Sequence, residues 1–281
     1  MRPVRPMPWP VEDLWLALQP VLPGFTVEVL AQIDSTNTEL MRRAHAGRTE
    51  ATLLIAEQQT QGRGRLGRPW SNTPGDSLMM SLGLMLAPQD WSGLSLAVGL
   101  AVVEALHASG MAQSQQIGLK WPNDLWLRDG RKLGGILIET TSLAHHVPGA
   151  SLQQQARYVV IGLGMNIVQP QAGADWSTPP TSLRALDTRW TAPLALAQIL
   201  PPLAHAVLAF AAQGFAPLVQ RFAAVDVLRG QPIHTSDGIQ GVAQGVGPDG
   251  ALLVQTAQGL QALHSADVSV RPQHMALPPQ R

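Results

Sequence analysis

The run Gly62-Arg63-Gly64-Arg65-Leu66-Gly67-Arg68-Pro69-Trp70 constrains the fold more than any other segment. Its letters spell G-x-G-x-x-G, the fingerprint of a dinucleotide-binding turn. That turn demands a helix opening at the last glycine, so that the helix dipole meets a pyrophosphate. Here the chain continues Arg68-Pro69-Trp70-Ser71-Asn72-Thr73-Pro74-Gly75, which cannot sustain a helix. No acidic residue follows at the spacing of a ribose-binding strand end. The dinucleotide fold is excluded. What remains is a flexible loop with three arginines in six positions. Glycine lets a backbone approach a ligand closely, and guanidinium forks match carboxylate and phosphate oxygens. A solvated basic loop would read the same way.

Composition narrows the partners. The 281 residues allow one large domain with an appendage or two domains, and 45% hydrophobic content can bury a sizeable core. Nineteen basic and nineteen acidic residues cancel, so no global field draws in nucleic acid or an anionic membrane. The sequence has no cysteine, which removes disulfides, thiolate nucleophiles and thiolate metal sites. The start, MRPVRPMPWPVEDLW, has no apolar stretch after its arginines and is not a secretory signal. The longest apolar stretch is read as Leu94–Leu106, about 13 residues with Glu104 inside. A membrane span needs roughly 20. The expectation is a soluble, cytoplasmic protein with no membrane partner.

Along the chain, residues 1–25 form a proline-rich extension with a short helix at Val11–Gln19. TVEVLAQI alternates as a strand, Asp34-Ser35-Thr36-Asn37 caps a helix, and ATLLIAEQQT leads into the arginine loop. SLMMSLGLML reads as a buried strand and Leu94–Ser109 as a buried helix. IGLKWPNDLWL and KLGGILIETTSL read as two strands joined by the turn Arg128–Arg131, and RYVVIGLGMNIV as another. AHHVPGASLQQQA is a polar connection whose His145-His146 pair has no third ligand nearby, and Gln169–Pro180 is a loop. Residues 192–222 have helical spacing broken by Pro201-Pro202 and Gly214. After Leu228, short strands between glycine turns predict a small all-β barrel. The expected divisions are 1–25, 26–228, 229–272 and a frayed tail, 273–281.

Three further segments carry chemistry. Lys120-Trp121-Pro122-Asn123-Asp124 sets a lysine, an amide and a carboxylate within five residues. Such groups suit a phosphate, a base edge and a magnesium ion, although an ordinary strand with a proline-marked bulge reads alike. Lys132 stands at a strand entrance, followed by the space-clearing Gly134 and Gly135. A solvated turn lysine reads alike. Gly162-Leu163-Gly164-Met165-Asn166 ends an apolar strand, where glycines admit a flat ring and Asn166 offers donor and acceptor. A β-bulge with a capping asparagine is the other reading. No H-E-x-x-H, G-x-S-x-G or P-loop motif is present.

In order, IDSTNTEL, EQQTQGRGRLGRPW, KWPNDLWL, KLGGILIE and GLGMNI closely resemble the catalytic domain of biotin–protein ligases over roughly residues 30–272. The resemblance implies an α/β (α+β) fold related to class II aminoacyl-tRNA synthetases, with a mixed, largely antiparallel sheet and a C-terminal SH3-like barrel. It implies that biotin and ATP, with Mg2+, form biotinyl-5′-adenylate. The biotinyl group then passes to a lysine of the biotin carboxyl carrier protein of acetyl-CoA carboxylase. Arg63, Arg65, Lys132 and Asp124 would be catalytic, with magnesium near Asp124. Biotin contacts map to Ser35, Thr36, Asn37, Gln59, Arg63, Gly64, Arg65 and Lys132, bordered by Gly135 and Gly162. Trp70, Asn123 and Asn166 map to the adenylate side, joined by Arg65 and Lys132, with Arg68 toward phosphate.

Only about 30 residues precede the resembling core, too few for the winged helix of repressor members, so DNA binding is not expected. Either a monomer or a homodimer is compatible with the resemblance. Gly130 adds a residue to the turn before Lys132, and Gly134 replaces a frequent alanine. A lipoate- or octanoate-transferring relative and a biotin sensor without transfer are the competing readings.

Overall fold

The computed structural model describes residues 7–70, 73–142, 156–170, 178–264 and 269–272. Most of the 144–156 connection with its histidine pair, the centre of the 169–180 loop and the 273–281 tail lie outside them. The chain runs through α1 (Val11–Leu18), β1 (Thr26–Leu30), α2 (Thr36–His45), β2 (Thr52–Ala56), β3 (Ser77–Leu86) and α3 (Leu94–Ala108). A run of strands follows: β4 (Ile117–Lys120), β5 (Asp124–Leu127), β6 (Lys132–Ser142) and β7 (Arg157–Asn166). Two helices, α4 (Ala192–Gln213) and α5 (Val219–Val225), lead into β8 (Pro232–Thr235), β9 (Gln240–Val246), β10 (Leu252–Thr256), β11 (Gly259–Leu263) and β12 (Val270–Pro272).

A seven-stranded sheet in the order β1-β2-β3-β7-β6-β5-β4 is the frame. Only β1 and β2 pair in parallel; every other neighbour is antiparallel. Side chains alternate across a strand, and the sequence obeys this. Leu78, Met80, Leu82 and Leu84 of β3, with Val159, Ile161, Leu163 and Met165 of β7, enter the main core beneath α3 and α4. The intervening residues face α2. There Leu40, Ala44, Leu54, Tyr158 and Val160 close a smaller core, beside the polar and glycine positions Ser81, Gly162 and Gly164. The α2 face therefore carries the only strand positions of β3 and β7 with room and polarity for a ligand. Ser35 caps α2, its hydroxyl accepting from the Thr38 N–H.

The structure corrects three expectations. IGLKWPNDLWL is not one strand but the hairpin β4–β5, reversing at Trp121-Pro122-Asn123 and pairing Lys120 with Asp124. A proline has no N–H for a sheet ladder, so the chain turns there. Next, α4 runs unbroken through Pro201 and Pro202 and ends at Gly214. Its buried stripe of Ala195, Leu196, Ile199, Leu200, Leu203, Ala204, Val207 and Phe210 holds it on the core across the two prolines. The same helix overturns the reading of Leu94–Leu106 as the longest apolar segment. At 22 residues it is long and apolar enough to cross a bilayer by length and composition. Here its buried stripe packs against α3, β3 and α1.

A second, five-stranded antiparallel sheet has the order β11-β10-β9-β8-β12. It is tied to the first at the β4–β5 hairpin. The Val227 N–H donates to the Leu119 carbonyl at 3.0 Å, and the wholly buried Trp121 donates Nε1 to the Gly250 carbonyl at 3.0 Å. Beside this seam lies Asp226, 5% exposed, whose Oδ1 accepts from the Leu228 N–H while Oδ2 has no partner among the described residues. Burial pushes its carboxyl up to about 6, against backbone N–H groups of Leu228 and Arg229 that pull it down. A native state that binds this proton more tightly than the unfolded chain loses stability as the pH rises from about 4 to about 6. Asp226→Asn keeps the acceptor for Leu228 and removes the buried charge. It should stabilise the protein on the order of 2 kcal/mol at pH 7 and leave it unchanged at pH 4, by urea denaturation at both pH values.

Candidate active site

The site is two rows of residues laid across the seven-stranded sheet by its register. In one row Met79 of β3, Gly164 of β7, Gly135 of β6, Asp124 of β5 and Lys120 of β4 stand directly opposite one another. In the other, Ser81 is opposite Gly162, which is opposite Leu137. The first row is a glycine floor ending in charge; the second is a polar wall under α2.

The wall is one hydrogen-bonded chain. Gln59 Oε1 accepts from the Thr36 N–H at 2.7 Å and from its hydroxyl at 3.1 Å. Buried Ser81 lies 2.7 Å from Thr36 Oγ1 and 2.6 Å from Asn37 Oδ1. Asn37 Nδ2 donates to Glu139 Oε2 at 2.9 Å and to the Leu137 carbonyl at 3.2 Å. Every polar atom that burial strips of water must find such a partner. Arg63 reaches the end of the chain, donating to Thr38 Oγ1 at 3.0 Å and Glu139 Oε1 at 3.3 Å. A cleft of about 410 Å³ opens here, bounded by Asp34, Ser35 and Thr38 on one side and Gly62, Arg63 and Pro69 on the other.

The charged end of the glycine row is crowded. Lys132 Nζ donates to Asp124 Oδ1 at 2.7 Å, while Lys120 Nζ lies 3.9 Å from Oδ2 and 5.1 Å from the centre of the Trp126 ring. Asn123 donates to the Ile136 carbonyl at 2.7 Å and accepts from Arg65 at 3.5 Å. Burial is the largest influence on both titrating groups of the Lys120–Asp124 pair. It pushes the Lys120 ammonium down to about 8, with Asp124 opposing and Lys132, Arg68 and Arg65 adding to the fall. It also works against ionisation of Asp124, yet Lys132, Lys120 and Arg65 together hold that carboxyl below its usual range. At 3.9 Å an attraction of about 4 kcal/mol at an effective dielectric of 20 only offsets a desolvation cost of several kcal/mol per ion. This pair does not repay its burial as stability. Asp124 fits poorly as a resident magnesium ligand. Both of its oxygens face ammonium groups, and the described residues contain no cluster of three or more acidic or histidine side chains.

Of the sequence candidates, Ser35, Thr36, Asn37, Gln59, Arg63 and Gly162 meet at the wall. Arg65, Asn123, Asp124, Lys132 and Gly135 meet at the charged end. Gly162 is required by close approach: a Cβ there would fall 2.2 Å from Asn37 Oδ1. Trp70 lies over Gly164, where a Cβ would come within 2.9 Å of its ring, and its buried Nε1 has no partner among the described residues. Gly64 is engaged within the loop, its N–H donating to the Arg68 carbonyl at 2.7 Å.

Two candidates stand apart. Asn166 is buried and donates to the Thr181 carbonyl at 3.0 Å, serving the segment that pairs with Lys132. Arg68 reaches away to Ser269 Oγ, next to β12, at 3.2 Å. Sequence reasoning gave no role to Ser81, Thr38 or Glu139 and placed Lys120 in its motif only. The signal was there for Ser81, a polar residue in an apolar strand, and for Glu139, which shares a strand face with Gly135 and Leu137.

The frame is thus mixed α/β, and one face of its sheet joins a polar wall to a cationic end. Residues 29–166 match the biotin/lipoate A/B protein ligase family, and residues 230–271 match the biotin protein ligase C-terminal domain. The chain belongs to the biotin–protein ligase family and is a ligase. It is 32% identical over 260 residues to the bifunctional ligase/repressor BirA of Escherichia coli, covering 89% of this chain and 75% of that one. It is also 32% identical to the biotin–[acetyl-CoA-carboxylase] ligase of Paracoccus denitrificans, covering 85% of this chain and 98% of the relative. The Aquifex aeolicus biotin protein ligase, solved in complex with biotin and ATP, superposes with a TM-score of 0.69 at 25% identity over 88% of this chain and 98% of that one.

Because the Asn37 amide has nowhere to retreat, Gly162→Ala should destabilise the fold by about 1–3 kcal/mol, read as a lower urea midpoint at unchanged slope.

Proposed function

We propose that this enzyme activates biotin with ATP and transfers it to a lysine of the biotin carboxyl carrier protein of acetyl-CoA carboxylase. The observation that carries the reading is the excess of positive charge at the end of the glycine row. Among the described residues Lys120 and Lys132 both face one carboxylate, Asp124, and Arg65 adds to the field on it. Two lysines sharing one carboxylate, one buried and the other open to the site, suit the reception of an anion. The relatives named as biotin–[acetyl-CoA-carboxylase] ligases, and a structural neighbour solved with biotin and ATP, supply the identity of those anions.

In the first step a biotin carboxylate oxygen attacks the α-phosphorus of ATP, and the bond to the bridging oxygen of pyrophosphate breaks. Two negative groups must meet, so Arg63, Arg65 and Lys132 lower the barrier by neutralising the charge that builds between them. In the second, a neutral lysine amine attacks the acyl carbon of the mixed anhydride, an amide forms and AMP leaves. Holding the reactants together contributes several kcal/mol more. Magnesium enters as the counter-ion of the ATP phosphates and belongs to the substrate. Ser35, Thr36, Asn37 and Gln59 would meet the ureido ring, with Gly135 and Gly162 giving it room. Trp70 and Asn123 would meet the adenylate, Arg68 would reach its phosphate on leaving Ser269 as the loop closes, and Asn166 would act through the segment beside Lys132. We read the seven-stranded sheet, within residues 26–228, as class II synthetase-like, and the five-stranded sheet, within 229–272, as SH3-like. Strand directions and order support both.

The Gly62–Pro69 loop would fold over the bound adenylate and keep water from the anhydride. Limited proteolysis between Arg63 and Arg68 should slow markedly once biotinyl-adenylate is added; equal cleavage would remove the lid from the mechanism.

Incubation with ATP, labelled biotin and an apo carrier domain should label the carrier, and a parallel lipoate reaction should not. Binding of biotin without transfer would make the chain a sensor, and transfer of lipoate alone would make it a lipoate ligase. Neutral side chains at both positions, Arg63→Met with Lys132→Met, should cut carrier labelling by roughly a hundredfold or more while the circular dichroism spectrum stays intact.

A further inference from the structure

Lys120 is a costly residue: it adds charge to the site, yet no step of the chemistry as written names it. It lies in β4 at 7% exposure, more deeply buried than Lys132, whose side chain is 30% exposed. Asp124 already has Lys132 as a partner at 2.7 Å, and burying a second ion beside that pair adds a desolvation cost of several kcal/mol, so the presence of Lys120 calls for a reason. The hairpin holds Lys120 in place: its neighbour Trp121 is anchored on the Gly250 carbonyl, and its sheet partner is Asp124. Lys132, by contrast, begins β6 directly after a turn.

Resting on the ligase reading above, we propose that Lys120 is a positioning residue for adenylation. It shares Asp124 with Lys132 and so leaves the Lys132 ammonium able to pass to the incoming anion. Asp124 offers Oδ1 to Lys132 at 2.7 Å and Oδ2 to Lys120 at 3.9 Å. With both lysines charged, the trio carries one net positive charge, and neither ammonium owns the carboxylate. Without Lys120 the remaining two groups form a neutral pair at short range. Its lysine would then have to break a full ion pair before it could meet a carboxylate or phosphate. Lys120 acts from behind Asp124 and touches no substrate. Its contribution therefore passes through Asp124.

The test uses biotin-dependent exchange of pyrophosphate into ATP, which reports adenylation alone, for wild type, Lys120→Met, Asp124→Asn and the double variant. Because Lys132 still pairs with Asp124, Lys120→Met should melt near the wild-type temperature, keep the KM for biotin and lose roughly tenfold in kcat. The double variant should be no slower than the slower single variant, because the two residues act as one unit. Lys120→Gln should show the same kinetic loss, and it replaces methionine if that variant fails to fold. A wild-type kcat in a folded Lys120 variant would overturn the proposal, as would additive losses, which would mean direct contact with substrate. A lower melting temperature without kinetic loss would make Lys120 a structural residue only. Absence of exchange in the wild type would strike the ligase reading, whereas the ratio of variant to wild type judges Lys120.

Discussion

Sheet register is the constraint on which the rest of the site depends. The pairing of β3, β7, β6, β5 and β4 puts Met79, Gly164, Gly135, Asp124 and Lys120 in one line, and the register shift of β5 against β6 falls beyond it, between Leu125 and Trp126. A slip of one residue in any of these strands would send its member of the line to the opposite face, into the core under α3. The burial of Leu78, Met80, Leu82 and Leu84 on that face forbids the slip. Apolar packing on one side of the sheet thus fixes where charge stands on the other.

That charge is concentrated against the preference of a folded chain. Among the described residues one carboxylate serves two lysines, one buried and one partly exposed, and arginines of the loop add to the field. Folding stability alone would favour apolar residues at such positions, which is why the cluster is the centre of the proposed function. The polar wall is organised on the other principle. From Gln59 through Thr36, Ser81 and Asn37 to Glu139, every group named has a partner, and the chain of bonds sets the orientation of each amide and hydroxyl before any ligand arrives.

Much of this was legible in the amino-acid order and some was not. The arginine loop was separable from a dinucleotide turn because Pro69 and Pro74 forbid the necessary helix. The buried strands, the capped α2 and the change of texture after Leu228 followed from periodicity and turn residues. The hairpin inside KWPND was missed because a proline between two apolar runs reads equally as a bulge. The continuity of α4 was missed because a proline pair is a local helix breaker, and only the packing of its long apolar stripe overrides that. Glu139 and Ser81 went unassigned because their partners, Asn37 and Arg63, are far away in the chain.

By itself the sequence determined which side chains are available and roughly which elements bear them: a basic glycine loop, a capped helix, a lysine–aspartate pair and glycine-bearing strands. Family membership was also contained in that order of motifs. Only the tertiary structure decided which groups share a face, that Asp124 lies between Lys120 and Lys132, and that Asn166 and Arg68 turn away toward Thr181 and Ser269. Those outcomes depend on strand pairing and on burial, through contacts 4 and 8 residues apart for Asp124 and 15 and 201 apart for Asn166 and Arg68, and local propensity encodes neither the hairpin reversal nor the distant pairing.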